Sequence, residues 1–433
     1  MSSKEIVSRE DIFETLKTGK VDYVRVEFVD LLGNTRGKSL RRAEFEEVLN
    51  GKGVEFAEGL VVLDYAEVPL FSSYYDVIAV PDLSTFKIIP YLERTARVLS
   101  YLTTLEGARH ELCVRSALYN VLKKLEERNL SLYSAFEPTF YLVKQAGDGT
   151  IRPADDAKAF SPEGLWDQQE FLKNLIKYLE LLDVKVSSIN KHYGQGQYEL
   201  KFSLSSPIES ADQLISSREV IRDLARSYGM LATFMPKPFS EQVSSSMDVY
   251  LSFHRGKDSV MLDPTDPKGH SLSQIGYNIL AGIVHHLHAI MAFAAPTVNS
   301  YRRFKEKVVP NRGGVGHERH FVIRLTSTFK ESGLFEFRLA DPLANPYLFL
   351  ASVVASAIDG IENNMDVEIE KDVTYLPETL EEAINALKQD SVIVRSLGNA
   401  LVDAYIKLKK RELDAYTNYV SEWEVRTYLK AGW

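Results

Sequence analysis

Residues 334–348, LFEFRLADPLANPYL, put a carboxylate and a guanidinium two positions apart on what reads as a strand. The alternation gives Glu336 and Arg338 one face and leaves Phe335, Phe337 and Leu339 to a core. Asp-Pro and Asn-Pro then end the strand, and an apolar helix is expected from about Tyr347. A carboxylate beside a guanidinium on an otherwise apolar strand suits a cation held next to a phosphate. A solvated, salt-bridged face is the commoner meaning of the same pattern, by roughly two to one.

Such a strand needs a sheet around it. Near the start, Val24, Val26 and Phe28 alternate with Tyr23, Arg25 and Glu27, and a Gly-Asn turn follows at 33–34. This is a hairpin opening a small β-rich region. A helix over 43–49 and extended segments over 60–65 and 75–81 continue it. Further on, the pattern predicts helices over 111–128, 167–182 and 212–228, with strands over 135–143, 185–190, 197–204 and 247–253. A long apolar helix over 273–294 is stopped by Ala295-Pro296, and a charged helical tail begins near Thr379.

Composition bounds the possibilities. The 433 residues are 45% hydrophobic and 26% charged, enough for two globular domains. A net charge of -9 argues against nucleic acid as a partner. Cys113 is the single cysteine, so neither a disulfide framework nor a cysteine zinc site is available. The first residues lack an apolar signal core and no run reaches membrane-spanning length, so a cytoplasmic protein is expected. Three further features carry bland expectations. His285, His286 and His288 lie in apolar sequence without a nearby carboxylate, which favours packing over a metal site. The stretch 311–316, NRGGVG, lacks the lysine and hydroxyl of a phosphate loop and reads as a plain loop. The run 407–412, KLKKRE, reads as a solvated helix face.

The block EFRLADPLANPY resembles the Glu-x-Arg-x-x-Asp-Pro-x-x-Asn-Pro-Tyr motif of glutamine synthetases, and further blocks follow in family order over nearly the whole chain. They include GQYE at 196–199, TFMPKPF at 233–239 and APTVNSYRR at 295–303. The resemblance implies an α+β fold: a β-grasp N-terminal domain over 1–105 and a glutamine synthetase-type catalytic domain, an antiparallel sheet flanked by helices, over 106–433. It also implies ATP and Mg2+ or Mn2+ as cofactors. A homo-oligomer of stacked rings, commonly a dodecamer, with sites shared between neighbours and no membrane partner, goes with them.

Carried over residue by residue, the resemblance gives Arg303 to the substrate carboxylate, and Arg324 and Arg338 to the phosphoryl group. Arg319, Tyr250 and Ser252 fall on the nucleotide side. Glu137, Asp248 and Glu336 match one metal position. The other should hold three glutamates and reads Thr139, His192 and Glu199. Magnesium takes hard oxygen ligands, so replacing two carboxylates by a hydroxyl and an imidazole weakens that position. The glycine-rich loop that should contact glutamate reads VSSS at 243–246, and the flap that should carry a carboxylate reads VPNRGG at 309–314. An N-terminal aspartate of the family is replaced near Glu58. Expected from these losses is a homologue with absent or weak glutamate–ammonia ligation and a structural, regulatory or sensing role. The alternative is an ATP-dependent ligase with a changed amine or acid.

Overall fold

The computed structural model describes residues 8–71, 75–307, 309–372 and 374–430. The residues before Ser8, on which the signal-peptide expectation rests, and the last three of the tail lie outside it.

Alternation near the start becomes β1 (Tyr23–Val29), whose Val24, Val26 and Phe28 are buried. It pairs with β2 (Thr35–Arg41) as the expected hairpin, and with β3 (Val54–Ala57), β4 (Asp76–Pro81), β5 (Lys87–Ile88) and β6 (Thr95–Thr103) it makes a sheet. The order is β2-β1-β6-β4-β3, with β5 on β6 and only the β1–β6 pairing parallel among the pairings described. The segment 60–65, expected to be extended, begins in a 3-10 turn over Glu58–Val62, and only then does Leu63 extend to bridge Pro69.

The second sheet is built on the long strand β7 (Ser131–Gln145) with β8 (Ile151–Pro153), β9 (Val186–Lys191), β10 (Gln197–Phe202) and β11 (Leu231–Thr233). It continues through β12 (Met247–Arg255), β13 (Asp258–Ser259), β14 (Arg312–Gly316), β15 (Phe321–Leu325) and β16 (Phe335–Phe337). The path is β14-β15-β16-β12-β7-β10-β9. Mixed helix and sheet in segregated layers is the α+β class.

Phe335, Phe337 and Leu339 are fully buried, each side chain contributing about 1.5–3 kcal/mol of burial free energy. Glu336 and Arg338 are buried too, at 4% and 9% exposure, so the solvated-face reading of that strand does not hold. The helix Pro346–Glu362 follows, with Asn345 Oδ1 accepting from the Tyr347 and Leu348 amides. The same Asn345 donates through Nδ2 to the carbonyls of Asp30 and Leu31. One side chain thus caps the helix and ties the β1–β2 turn to the second sheet. Gly33, at φ +86°, lies so close to Asn345 that a Cβ there would sit 3.3 Å from its Cα.

Three expectations change here. The apolar helix over 273–294 is two helices, Gln274–His285 and Leu287–Ala294, bent by 69°. His286 sits at the break with its ring between Asp390 (2.6 Å) and Asp359 (3.0 Å), a carboxylate pair that sequence spacing hid. No single helix among the described residues is long and apolar enough to cross a membrane. The NRGGVG loop contains β14, parallel to β15. Finally, 407–412 is not a solvated face: Leu408 and Lys409 are buried, and Arg411 donates to the carbonyls of Pro69 and Leu70 and pairs with Asp64. That run docks the helix Asn399–Asn418 on the N-terminal region.

Candidate functional site

Strand register brings distant residues to one cavity. Arg324 of β15 lies opposite Glu336 of β16, which lies opposite Tyr250 of β12. Asp248 of β12 lies opposite Glu137 of β7, and Thr139 of β7 lies opposite Glu199 of β10. The cavity these strands line has a volume of about 660 Å³.

One wall is a chain of charge-assisted bonds. Arg324 Nη1 donates to both oxygens of Glu336 at 3.3 and 3.1 Å. Arg338 Nη1 donates to Glu336 Oε2 at 2.8 Å and to Asp248 Oδ2 at 2.9 Å. Burial lifts the Asp248 carboxyl to about 6 against the pull of Arg338, with Glu336 and Glu137 adding to the rise. Tyr250 forms part of the lining, its phenol pushed well up by burial and by Glu137 and Glu336.

The opposite wall is close to neutral. Burial, then repulsion from Glu137 and Asp248, raises Glu199 to about 8. His192, lowered to about 4 by burial, is a neutral imidazole at pH 7. Gln197 Oε1 accepts from the Gly194 amide at 2.8 Å and contacts His192 Nδ1 at 3.1 Å, which assigns the proton to Nδ1. His192 Nε2 then presents its lone pair to Glu199 at 3.4 Å. Thr139 is turned away: its hydroxyl accepts from the Ser246 amide and donates to the Ser246 carbonyl.

Of the other residues singled out in the sequence, Arg303 reaches the cavity from beneath, fully buried. It donates to the carbonyls of Leu339 and Ala340, and its Nε–H has no partner. Arg319 lines the cavity as an exposed residue. Ser252 is buried and bonded to His254 and the Ser332 carbonyl, and is not among the cavity-lining residues. Glu58 contacts His110 at 3.0 Å, in the N-terminal region. In the serine loop, Ser244 donates through its amide and hydroxyl to Glu306 Oε2, both at 3.0 Å. Glu306 is also paired with Lys237. Its position three residues after Arg303 was the available signal for this clamp. Lys201 was missed as well. It shares the alternating face of Glu199 and pairs with Glu137 at 3.5 Å.

The donor set Glu137, Asp248 and Glu336 offers the hard oxygens that magnesium takes. Glu199 with a neutral imidazole and a turned-away threonine does not. Among the described residues no three acidic, histidine or cysteine side chains are clustered closely enough to hold an ion as they stand. Five cationic residues line the cavity, Arg303, Lys307, Arg319, Arg324 and Arg338, against four carboxylates, Glu137, Glu199, Asp248 and Glu336. A polyanion can therefore enter without an excess of negative charge to overcome.

Known proteins resemble this chain over most of its length. Residues 111–428 match the family model described as glutamine synthetase, catalytic domain. The glutamate–methylamine ligase of Methyloversatilis universalis is 29% identical over 96% of this chain and 98% of its own length. The glutamine synthetase of Methanococcus voltae is also 29% identical, over 98% of this chain and all of its own. A solved structure described as apo GmaS without ligand superposes with a TM-score of 0.87 at 26% identity, covering 98% of this chain and 100% of that one. A GmaS/ADP complex gives the same TM-score over 96% and 99%. On the strength of that match and of the blocks that build the cavity, the chain belongs to the glutamine synthetase family.

Proposed function

We propose that this chain is an ATP-dependent ligase joining the side-chain carboxylate of glutamate, or of a similar acid, to an amine other than ammonia. The observation that carries the reading is the paired run Arg324, Glu336, Arg338 and Asp248 across three neighbouring strands. Guanidinium donors already fixed in place stabilise a transferring phosphoryl group without reorganising at the moment of reaction. Arg319 at the exposed side suits the outer phosphates. Arg303, with a free buried Nε–H, suits the carboxylate of the acid. Glu137, Asp248 and Glu336 would hold a divalent ion, which when bound screens phosphate charge.

A changed amine is supported from two sides. The flap carries no carboxylate over 309–314 to accept a proton, and Val309 and Pro310 bring apolar surface to the cavity. Such a lining suits an alkylated amine better than ammonia. Relatives matched over nearly their full length are named as a glutamate–methylamine ligase and a glutamine synthetase, which favours turnover over the expected loss of activity. A second reading, nucleotide binding without turnover, draws on the Glu199–His192 wall, which lacks hard cation ligands.

We further propose a division near residue 105 into a β-grasp domain and the catalytic domain, and assembly into a homo-oligomer. The last described helix, Glu422–Tyr428, supports assembly: Trp423 is 63% exposed and Leu429, just beyond it, 76%.

The test is phosphate release from ATP with magnesium or manganese and glutamate, adding ammonia, methylamine or larger amines in turn. Release that depends on an alkylamine is expected. Release with ammonia equal to or above every amine would overturn the specificity. Silence throughout, with ATP bound, would leave the second reading.

A further inference from the structure

The β7–β10 pairing leaves one charge without a part in the proposed ligation. Gln197, Tyr198 and Glu199 lie opposite Tyr141, Phe140 and Thr139, so two residues on Lys201 stands beside Glu137. Its ammonium is 3.5 Å from Glu137 Oε2 and 3.7 Å from the centroid of the Tyr250 ring. A carboxylate on one side and an aromatic face on another hold a cation in a defined place. The Lys201 side chain is 35% exposed and that of Glu137 only 11%, so the lysine reaches inward over a carboxylate that belongs to the wall.

We propose that the Lys201 ammonium takes the place of a divalent cation on the β7–β10 wall. The chain then has a single metal position among the four carboxylates that line the cavity. Three observations meet here. The oxygen donors needed for a second ion are missing, because Thr139 is bonded back to Ser246 and His192 is held by Gln197. A positive side chain already sits on Glu137, which shares its strand face with Thr139 on β7. A divalent ion brought within a few ångströms of the ammonium would meet like charge where water screens it least. A lysine also differs from a metal in what it asks of its surroundings. It needs no further oxygen ligands, and the Tyr250 ring, which could not ligate magnesium, suffices as its second side.

The proposal uses the ligase reading only for its consequence, which is that the phosphate end of the nucleotide meets one divalent ion, with the lysine charge held behind Glu137. The metal count can be measured without turnover. Manganese binding to the full chain, without nucleotide, glutamate or amine, is read by calorimetry and by loss of the free-ion electron paramagnetic resonance signal. Unaltered protein should take up no more than one ion per chain. Lys201→Ala should bind its one ion roughly tenfold tighter or more, the scale of one nearby charge in a partly solvated site. Lys201→Arg should behave as the unaltered chain, and Lys201→Gln repeats the charge removal should the alanine variant melt early. Two or more ions on the unaltered chain would overturn the proposal, as would Lys201→Ala indistinguishable from it or Lys201→Arg matching Lys201→Ala. A chain that never releases phosphate can still pass this test, and an active ligase can fail it.

Discussion

On the β15–β16–β12 wall, Glu336 and Asp248 each have a guanidinium within 3.1 Å. On the β10–β9 wall, Glu199 faces a neutral imidazole at 3.4 Å and an Asn190 amide at 3.4 Å. Both walls hold carboxylates at least partly out of water in one cavity, so the difference lies in where compensating charge comes from. The first carries it in its own arginines and is set before any ligand arrives. The second answers burial by keeping Glu199 protonated near neutrality, its carboxyl raised to about 8. A cavity of this kind is organised for the anion on one side and underdetermined on the other. Changes in substrate choice can therefore accumulate on the second wall while phosphate handling stays intact.

The comparison breaks most visibly at Arg338. Arg338→Met leaves Asp248 without its guanidinium and Glu336 with one instead of two. An expected loss of about 3–5 kcal/mol in unfolding free energy follows from uncompensated buried charge. Phosphate release should vanish with it. Urea unfolding and the release assay read the two effects, and a stability loss below about 1 kcal/mol would mean that this wall is not held by charge pairing. A smaller effect is expected on the other side. His192→Glu sets a second carboxyl beside the protonated Glu199 and should lower the melting temperature, by the equivalent of about 1–3 kcal/mol for a polar group desolvated without a fixed partner. Manganese should return that stability, since an ion that binds only the folded chain stabilises it. A variant as stable as the original, and indifferent to manganese, would show that the wall is open to water.

How much of this could be read beforehand depended on whether the deciding contact was local. Glu336 and Arg338 were legible because strand alternation sorts side chains by face, and Phe335 and Phe337 are buried on the opposite side. The burial of that polar pair was not, since the partners Arg324 and Asp248 come from other strands. Asn345 was legible only as part of the Asn-Pro break before the helix, and its grip on the Asp30 and Leu31 carbonyls crosses more than three hundred residues of sequence. Lys201 follows the same alternation as Glu199, yet a lysine on a half-exposed face carries no signal until Glu137 and Tyr250 are known to stand beside it. The 407–412 run looked solvated because its charges are real; Arg411 spends its donors on two backbone carbonyls of the N-terminal region, which no periodicity announces. The bend at His286 was invisible for the same reason.

That bend gives the smallest effect and a third way of handling buried charge. His286 lies at 6% exposure with Asp390 on Nδ1 and Asp359 on Nε2, so both ring nitrogens face carboxylates. Burial alone would lower its pKa, but the hydrogen bonds to Asp390 and Asp359 and their charges outweigh it and hold it above 6.5. Asp390 is held below 3.8: burial raises it, and the bond to His286 together with the Val392 and Ile393 amides more than reverses that. A raised histidine stabilises the fold fully below pH 6.5 and loses that contribution as pH rises through its folded value. A depressed aspartate stabilises above 3.8 and loses its contribution as pH falls through its folded value. The cluster should therefore contribute most between pH 3.8 and 6.5. His286→Asn keeps the size and some hydrogen bonding but not the charge. It should cost about 1–2 kcal/mol in that window and progressively less at higher pH, where His286 of the unaltered chain is itself neutral. Urea unfolding of the two proteins at about pH 5.5 and about pH 8 measures the difference directly. Equal losses at both would mean that His286 packs the helix break as a neutral ring. The region would then resemble the Glu199–His192 wall and not the arginine wall.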